Sequence, residues 1–164
     1  MKINSISAPG RREPGPWSLR PADRRDAEAV TELVDAAYNH YVERLGMLPG
    51  PMTLDYASVI ADYQVTVAES DGDIVGVLVL GRNDEGFVIE NVAVHPSRRG
   101  SGLGRALLEL AEHEARRSGA DAILLYTHEK MTENLALYSR IGYVEYDRRS
   151  HGDYSLVHMS KPLA

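Results

Sequence analysis

The sequence predicts a mixed α/β domain of the α+β type, with the element order βααβββαβαββ, on three observations. Apolar residues recur at spacings of three and four in two segments, Ala27 to Tyr41 and Leu103 to Ala111, as they do on helices with one buried face. Between them, three apolar runs are separated only by tight-turn sequences, SDGD at 70–73 and GRNDEG at 81–86, which predicts an antiparallel meander. The last of these runs passes through a glycine-rich turn into the second helix. A strand that follows such a helix is expected to lie parallel to its partner.

Taken in order, residues 1–16 are polar and rich in glycine, proline and arginine, without periodicity, and read as a flexible tail ahead of one domain at 17–164. Trp17 to Arg20 reads as a short strand closed by Pro21. Asp23 then caps a helix whose stripe is Ala27, Val30, Val34, Ala37 and Tyr41, ending near Gly46. GMLPGPM (46–52) is a stiff apolar loop, and Thr53 is placed to cap a second helix through about Ala61. Strands follow at Gln64 to Glu69, Ile74 to Leu80 and Phe87 to Val94. The next helix carries Leu103, Ala106, Leu107, Leu110 and Ala111 on one face, Arg116 and Arg117 in its last turn and Gly119 beyond it. A strand at Ala122 to Tyr126, a short helix from Thr132 to Ile141 stopped by Gly142, and strands at Tyr143 to Arg149 and Tyr154 to Ser160 complete the order.

The 164 residues suffice for one domain that buries roughly 70% of its unfolded surface without cross-links. There are no cysteines, so disulfides, thiolate metal sites and a cysteine nucleophile are excluded together. His95, His128 and His158 stand apart without ligand spacing, and no metal is expected. The longest apolar run, Ile74 to Leu80, falls far short of the ~20 residues that span a bilayer, and no export signal opens the chain, so a cytoplasmic protein without a membrane partner is expected. A net charge of −6 argues against a nucleic-acid partner.

The most informative stretch is VAVHPSRRGSGLGRALL, Val92 to Leu108. Glycines at 100, 102 and 104 let the backbone turn tightly and present amides, and a helix N-terminus adds unpaired donors and a positive dipole end. The loop is built to hold an anion, most simply a phosphate. No Gly-Lys-Ser/Thr triplet follows, and arginine stands at 105, so neither the Walker A loop nor the dinucleotide fingerprint applies.

With Arg99, Gly102 and Gly104, the loop instead resembles the Arg/Gln-x-x-Gly-x-Gly/Ala loop of the GNAT superfamily of N-acetyltransferases. IENVAVHP before it and MTENLALYSRIGY (131–143) after the next strand extend the resemblance over about residues 17–161. The resemblance implies a twisted central mixed sheet with helices on both faces, and acetyl-CoA (coenzyme A) as co-substrate. It implies that the backbone from Arg99 through Gly100, Ser101, Gly102 and Leu103 to Gly104 binds the pyrophosphate. It further implies that the backbone of Val92, Ala93 and Val94 pairs with the pantetheine arm in a gap of the sheet, and that Asn134 contacts the cofactor nearby.

Tyr138 matches the tyrosine that many members place near the CoA sulfur as general acid; the alternative is a core tyrosine. Glu90, two residues before Val92, matches the glutamate of the polyamine-acetylating branch and is the candidate base; the alternative is an outward, solvated carboxylate. The histone-acetylating branch has its glutamate where this chain has Val88, and the branch acting on ribosomal-protein N-termini uses the strand position occupied here by Tyr126. His128 and Glu129, near the end of that strand, rank behind Glu90 and Tyr138.

The implied activity is an acyltransferase: direct transfer of acetyl from acetyl-CoA to a primary amine in a ternary complex, with a small-molecule or peptide acceptor. The alternatives are a non-catalytic acyl-CoA-binding or sensing module and a protein or peptide N-terminal acetyltransferase. The resemblance leaves a homodimer open. Nine acids against Arg24, Arg25 and Arg44 between Pro21 and Ser70 would place negative charge on the acceptor side and favour a cationic amine.

Overall fold

A computed structural model describes residues 17–164, and the expectation about 1–16 lies outside the described residues. Eleven elements appear in the anticipated order: β1 (Ser18–Pro21), α1 (Ala27–Leu45), α2 (Tyr56–Asp62), β2 (Gln64–Ser70), β3 (Asp73–Asn83), β4 (Gly86–Val94), α3 (Leu103–Arg117), β5 (Ala122–His128), α4 (Thr132–Arg140), β6 (Val144–His151) and β7 (Tyr154–Pro162). Among the described residues no helix is long and apolar enough to cross a membrane.

Local chemistry explains most boundaries. Asp23 caps a single 3-10 turn, Arg24–Asp26, and the Asp26 carboxylate accepts in return from the Asp23 amide at 2.8 Å. Arg20 grips that same carboxylate through two nitrogens at 2.8 and 3.0 Å, fastening the start of α1 to β1. Gly46, at φ 72°, closes α1 in the left-handed conformation that glycine adopts without penalty. The expected Thr53 cap is corrected to Asp55, whose carboxylate accepts from the Ala57 amide at 3.1 Å; Thr53 instead ends a 3-10 turn over Gly50–Thr53. β3 extends to Asn83, so the turn expected over 81–86 shrinks to Asp84 and Glu85.

The seven strands form one mixed sheet in the order β1-β2-β3-β4-β5-β7-β6, with β4 and β5 the parallel pair and β7 inserted between β5 and β6. Alternation along β3 sorts the core onto two faces. Val77 and Val79 pack with Val30, Val34 and Tyr56 of α1 and α2, while Leu78 and Leu80 pack with Leu103, Leu107 and Ala111 of α3. Tyr138 of α4 joins the α3 face, so helices cover both sides as implied.

Two irregularities shape the centre of the sheet. Val79 is partnered by Asn91 and Leu80 by Ile89, which leaves Glu90 as the extra residue of a bulge in β4. Beyond Ile89, β4 and β5 stop pairing: their contacts are Phe87 with Ile123, Val88 with Leu124 and Ile89 with Leu125, and then the strands diverge.

Gly76 sets how closely α3 lies on the sheet, because a Cβ there would stand 3.0 Å from Leu103 Cδ2 and 3.3 Å from Leu107 Cδ1. Gly76→Val should therefore destabilise the fold by about 1–3 kcal/mol through overpacking. Urea denaturation checks this, and an unchanged midpoint would show that α3 is not seated there.

Candidate active site

The parting of β4 from β5 leaves backbone without a sheet partner. The His95 amide donates to the Val75 carbonyl at 2.9 Å, so Ala93 also turns its N–H and C=O toward β3. By the same alternation Val92 and Val94 turn theirs into the gap. Of the three residues expected to pair with pantetheine, the backbone direction therefore favours Val92 and Val94, and Ala93 contributes wall.

Two cavities open from the gap. One, of about 490 Å³, runs past Val92, Ala93 and Val94 to Arg99, Gly100 and Gly104. The other, of about 530 Å³, is lined by Glu90, Tyr126, Thr127, His128 and the loop after α1. Tyr38, Val92, Asn134 and Tyr138 line both, and so mark the junction.

At the end of the first cavity, Gly100 (φ 78°) and Gly102 (φ 92°) hold the loop in left-handed backbone. A Cβ at either would meet nothing within 4 Å, so it is the turn and not crowding that requires glycine. At Gly104 a Cβ would meet only Val94 Cγ2 at 3.7 Å, an ordinary contact. The loop satisfies part of its own backbone: the amides of Arg99 and Ser101 donate to Pro96 and Arg98 carbonyls, and that of Leu103 to Ser101 Oγ. The amides of Gly100, Gly102, Gly104 and Arg105 meet no protein acceptor among the described residues, and they stand where α3 begins. Leu103 otherwise belongs to the core. Arg98 donates to Ser70 Oγ at 2.8 Å and Arg105 pairs with Glu109, so both are engaged within the protein. Arg99 reaches across to the Ala37 carbonyl at 3.5 Å and lines the cavity.

Tyr138 is buried at the junction, and its hydroxyl has no protein partner among the described residues. Burial pushes the phenol up to about 12, so it stays protonated at neutral pH. Asn134, in the first turn of α4, stands beside it. Glu90, half-buried, lines the second cavity and accepts from the Tyr126 hydroxyl at 3.2 Å. Partial burial first, then the Glu90 charge, raise the Tyr126 phenol to about 12. Glu129 accepts from the Ser155 amide at 3.0 Å and ties β5 to β7, a structural use. His128 lines the second cavity, stacked on Tyr154 with ring centroids 5.1 Å apart, and desolvation lowers its pKa.

Two further residues carry the site and escaped the sequence reading. The Tyr38 hydroxyl donates to Asn91 Oδ1 at 2.8 Å and also lies 3.2 Å from the Val92 carbonyl. The Asn91 amide donates to the Tyr56 hydroxyl at 3.1 Å, which donates to the Pro51 carbonyl at 2.7 Å. Asn91 had a signal in the sequence, since an amide inside an apolar strand must find partners once buried. Tyr38 had none beyond its place next to Ala37 on α1.

The acidic surplus of the first half does not face the second cavity. Of those nine acids none lines it: Asp26 and Glu69 bind Arg20, Asp23 binds Arg25, and Asp55 caps α2. The carboxylate that does face it is Glu90.

The Acetyltransferase (GNAT) domain family matches residues 61–145. Over 139 residues the chain is 31% identical to the L-methionine sulfoximine/L-methionine sulfone acetyltransferase of Salmonella typhimurium, covering 77% of this chain and 79% of that one. It is 35% identical over 143 residues to the IAA acetyltransferase of Azospirillum brasilense, covering 83% and 92%. An acetyltransferase of Salmonella typhimurium solved with its cofactor acetyl-CoA superposes with a TM-score of 0.67 at 28% identity, over 91% of this chain and 95% of that one. A glycine loop at the start of α3, a split between β4 and β5 and these relatives agree: the chain is an acyltransferase and belongs to the GNAT acetyltransferase family.

Proposed function

We propose that the protein transfers acetyl directly from acetyl-CoA to a primary amine in a ternary complex. The observation that carries this reading is the junction: Tyr38, Val92, Asn134 and Tyr138 line both cavities, so two substrates entering from opposite sides meet against the same four residues. Support for acetyl-CoA as the donor comes from the free amides of Gly100, Gly102, Gly104 and Arg105 at one end of its cavity, and from the outward-turned backbone of Val92 and Val94.

An alkylammonium of pKa ~10.4 is neutral only about one part in a thousand near pH 7.4, a cost of about 4 kcal/mol unless a group removes the proton. Glu90 takes that proton, directly or through a water. The amine nitrogen then attacks the thioester carbonyl carbon, and the Val92 amide donates to the oxygen as it gains charge. The Tyr38 hydroxyl, bonded to the Asn91 side chain and close to the Val92 carbonyl, helps hold the backbone on both sides of that amide. As the carbon–sulfur bond breaks, Tyr138 donates a hydrogen bond to the departing sulfur, and the excess proton on the newly acylated nitrogen passes to the thiolate through water, leaving neutral amide and free thiol. A phenol at about 12 is a much weaker acid than a thiol of pKa ~8.5, so its role is to stabilise the thiolate more than to protonate it outright.

Thiol release from acetyl-CoA across a panel of amines tests the reading, and tight acetyl-CoA binding without amine-dependent release would overturn it. Gly102→Glu places a carboxylate and a strained side chain among the loop amides, and should weaken acetyl-CoA binding on the order of 100-fold by calorimetry. Unchanged affinity would remove the loop from the site. Tyr138→Phe should lower kcat roughly 100-fold with little change in acetyl-CoA affinity, whereas wild-type turnover would exclude the hydroxyl. Because a base acts only when deprotonated, the kcat/KM profile should have an acidic limb. Glu90→Gln should displace that acidic limb of the kcat/KM profile, and an identical limb would assign the base to another group.

A further inference from the structure

The acceptor cavity has a charge pattern that narrows the acceptor beyond "primary amine"; the inference rests on the transfer reading above. Among the described residues that line it there is one carboxylate, Glu90, two residues before Val92 of the junction. The Tyr63 ring and the Glu90 carboxylate both lie over Gly81, and the remaining walls are largely apolar and aromatic, with Leu125, Leu156 and Tyr154 on one side and Leu48 and Leu54 on the other. The mouth stays apolar where it meets solvent: Leu48 is 50% exposed and Leu54 48%. Exposed leucines beside a cavity mark a surface that gains from covering an apolar ligand.

Among the described residues, no cation there meets a negative charge. Among the described residues that line the cavity there is no arginine or lysine. Arg44 is held by Glu133 through two nitrogens at 2.6 and 2.9 Å and lies outside it, and Arg99 lines the other cavity. His128 does not substitute for a cation: its Nδ1 accepts from the Lys130 amide at 3.0 Å, and desolvation favours the neutral ring. Among the neutral donors that line it, Asn91 is engaged with Tyr56 and Thr127 with the Met131 sulfur, while His128 Nε2 and the Tyr138 hydroxyl, without a protein partner among the described residues, offer uncharged N–H and O–H groups and no counter-charge. A carboxylate on the acceptor would lie near Glu90 with no counter-charge, a costly placement in a partly dehydrated cavity. A second ammonium far along the acceptor would rest among leucines and aromatic rings with no carboxylate to meet it.

We infer that the acceptor is a hydrophobic primary amine, a single ammonium on an apolar or aromatic body without a carboxylate, and not a free amino acid or a linear polyamine. Glu90 receives the ammonium, and the leucine and tyrosine walls take the body.

The test is a matched series on the wild-type protein at saturating acetyl-CoA and one pH: 2-phenylethylamine, phenylalaninamide, phenylalanine and 1,4-diaminobutane, compared by kcat/KM. The phenylalanine ammonium is the more acidic of the first and third, so ionisation alone favours the amino acid. The expected result is 2-phenylethylamine above phenylalanine on the order of 100-fold, because the pair differ only in the carboxylate. Phenylalaninamide should recover most of that loss, and 1,4-diaminobutane should be a poor acceptor. Phenylalanine or the diamine equal to or better than 2-phenylethylamine would overturn the inference and leave the transfer reading standing. Absence of amine-dependent thiol release with every amine of the wider panel would overturn both.

Discussion

The site depends on the separation of two neighbouring parallel strands. After Ile89 and Leu125, β4 and β5 no longer pair, and the sheet leaves a row of peptide groups facing open space in its middle. Interior backbone groups without partners are costly, so such an opening persists only where something else holds the strand. Here the bulge at Glu90 bends β4 away, and the Tyr38–Asn91–Tyr56–Pro51 chain of hydrogen bonds draws the strand toward α1 and α2. Of the groups that open the sheet, Tyr38, Glu90 and Asn91 line the second cavity.

That arrangement couples the two faces of the fold. The α3 face carries the loop that presents free amides, and α4 brings Asn134 and Tyr138 to the junction from the same side. The α1 and α2 face supplies Tyr38 and the apolar loop after Gly46, which forms one wall of the acceptor cavity. The sheet lies between them, and the two cavities meet at its gap, where on the proposed reading the two substrates would touch. Stability and function share residues for this reason: Asn91 is a buried polar group satisfied on both its amide atoms, and its partners are the tyrosines that order the site.

Much of this was legible in the chain, and the division follows physical range. The element order was readable because each signal is local: helical spacing, tight turns, glycine at helix ends. The loop from Arg99 to Gly104 was readable for the same reason, and the structure narrows it to those amides the loop does not itself consume. Glu90 and Tyr138 came from resemblance, and their placement at the cavities could not be read from spacing. The acceptor cavity was not legible, because its walls come from α1, the following loop, β4, β5, α4 and β7, elements brought together only by tertiary packing. Where the acids counted between Pro21 and Ser70 point was not legible either: Asp23, Asp26, Asp55 and Glu69 are engaged as caps or ion pairs and none of the nine lines the second cavity, while one glutamate in an apolar strand does.

The central claim, that Val92 and Val94 offer unpaired backbone that the donor substrate completes as an added strand, can be measured residue by residue. Amide hydrogen exchange followed by NMR, with and without saturating acetyl-CoA, separates these amides from that of Ala93, which faces β3. The account predicts that the Ala93 amide is slow in both conditions, and that Val92 and Val94 exchange faster in the free protein and slow by about tenfold or more when acetyl-CoA binds. Amides of Val92 and Val94 as protected as that of Ala93 in the free protein, or unmoved by saturating acetyl-CoA, would contradict it.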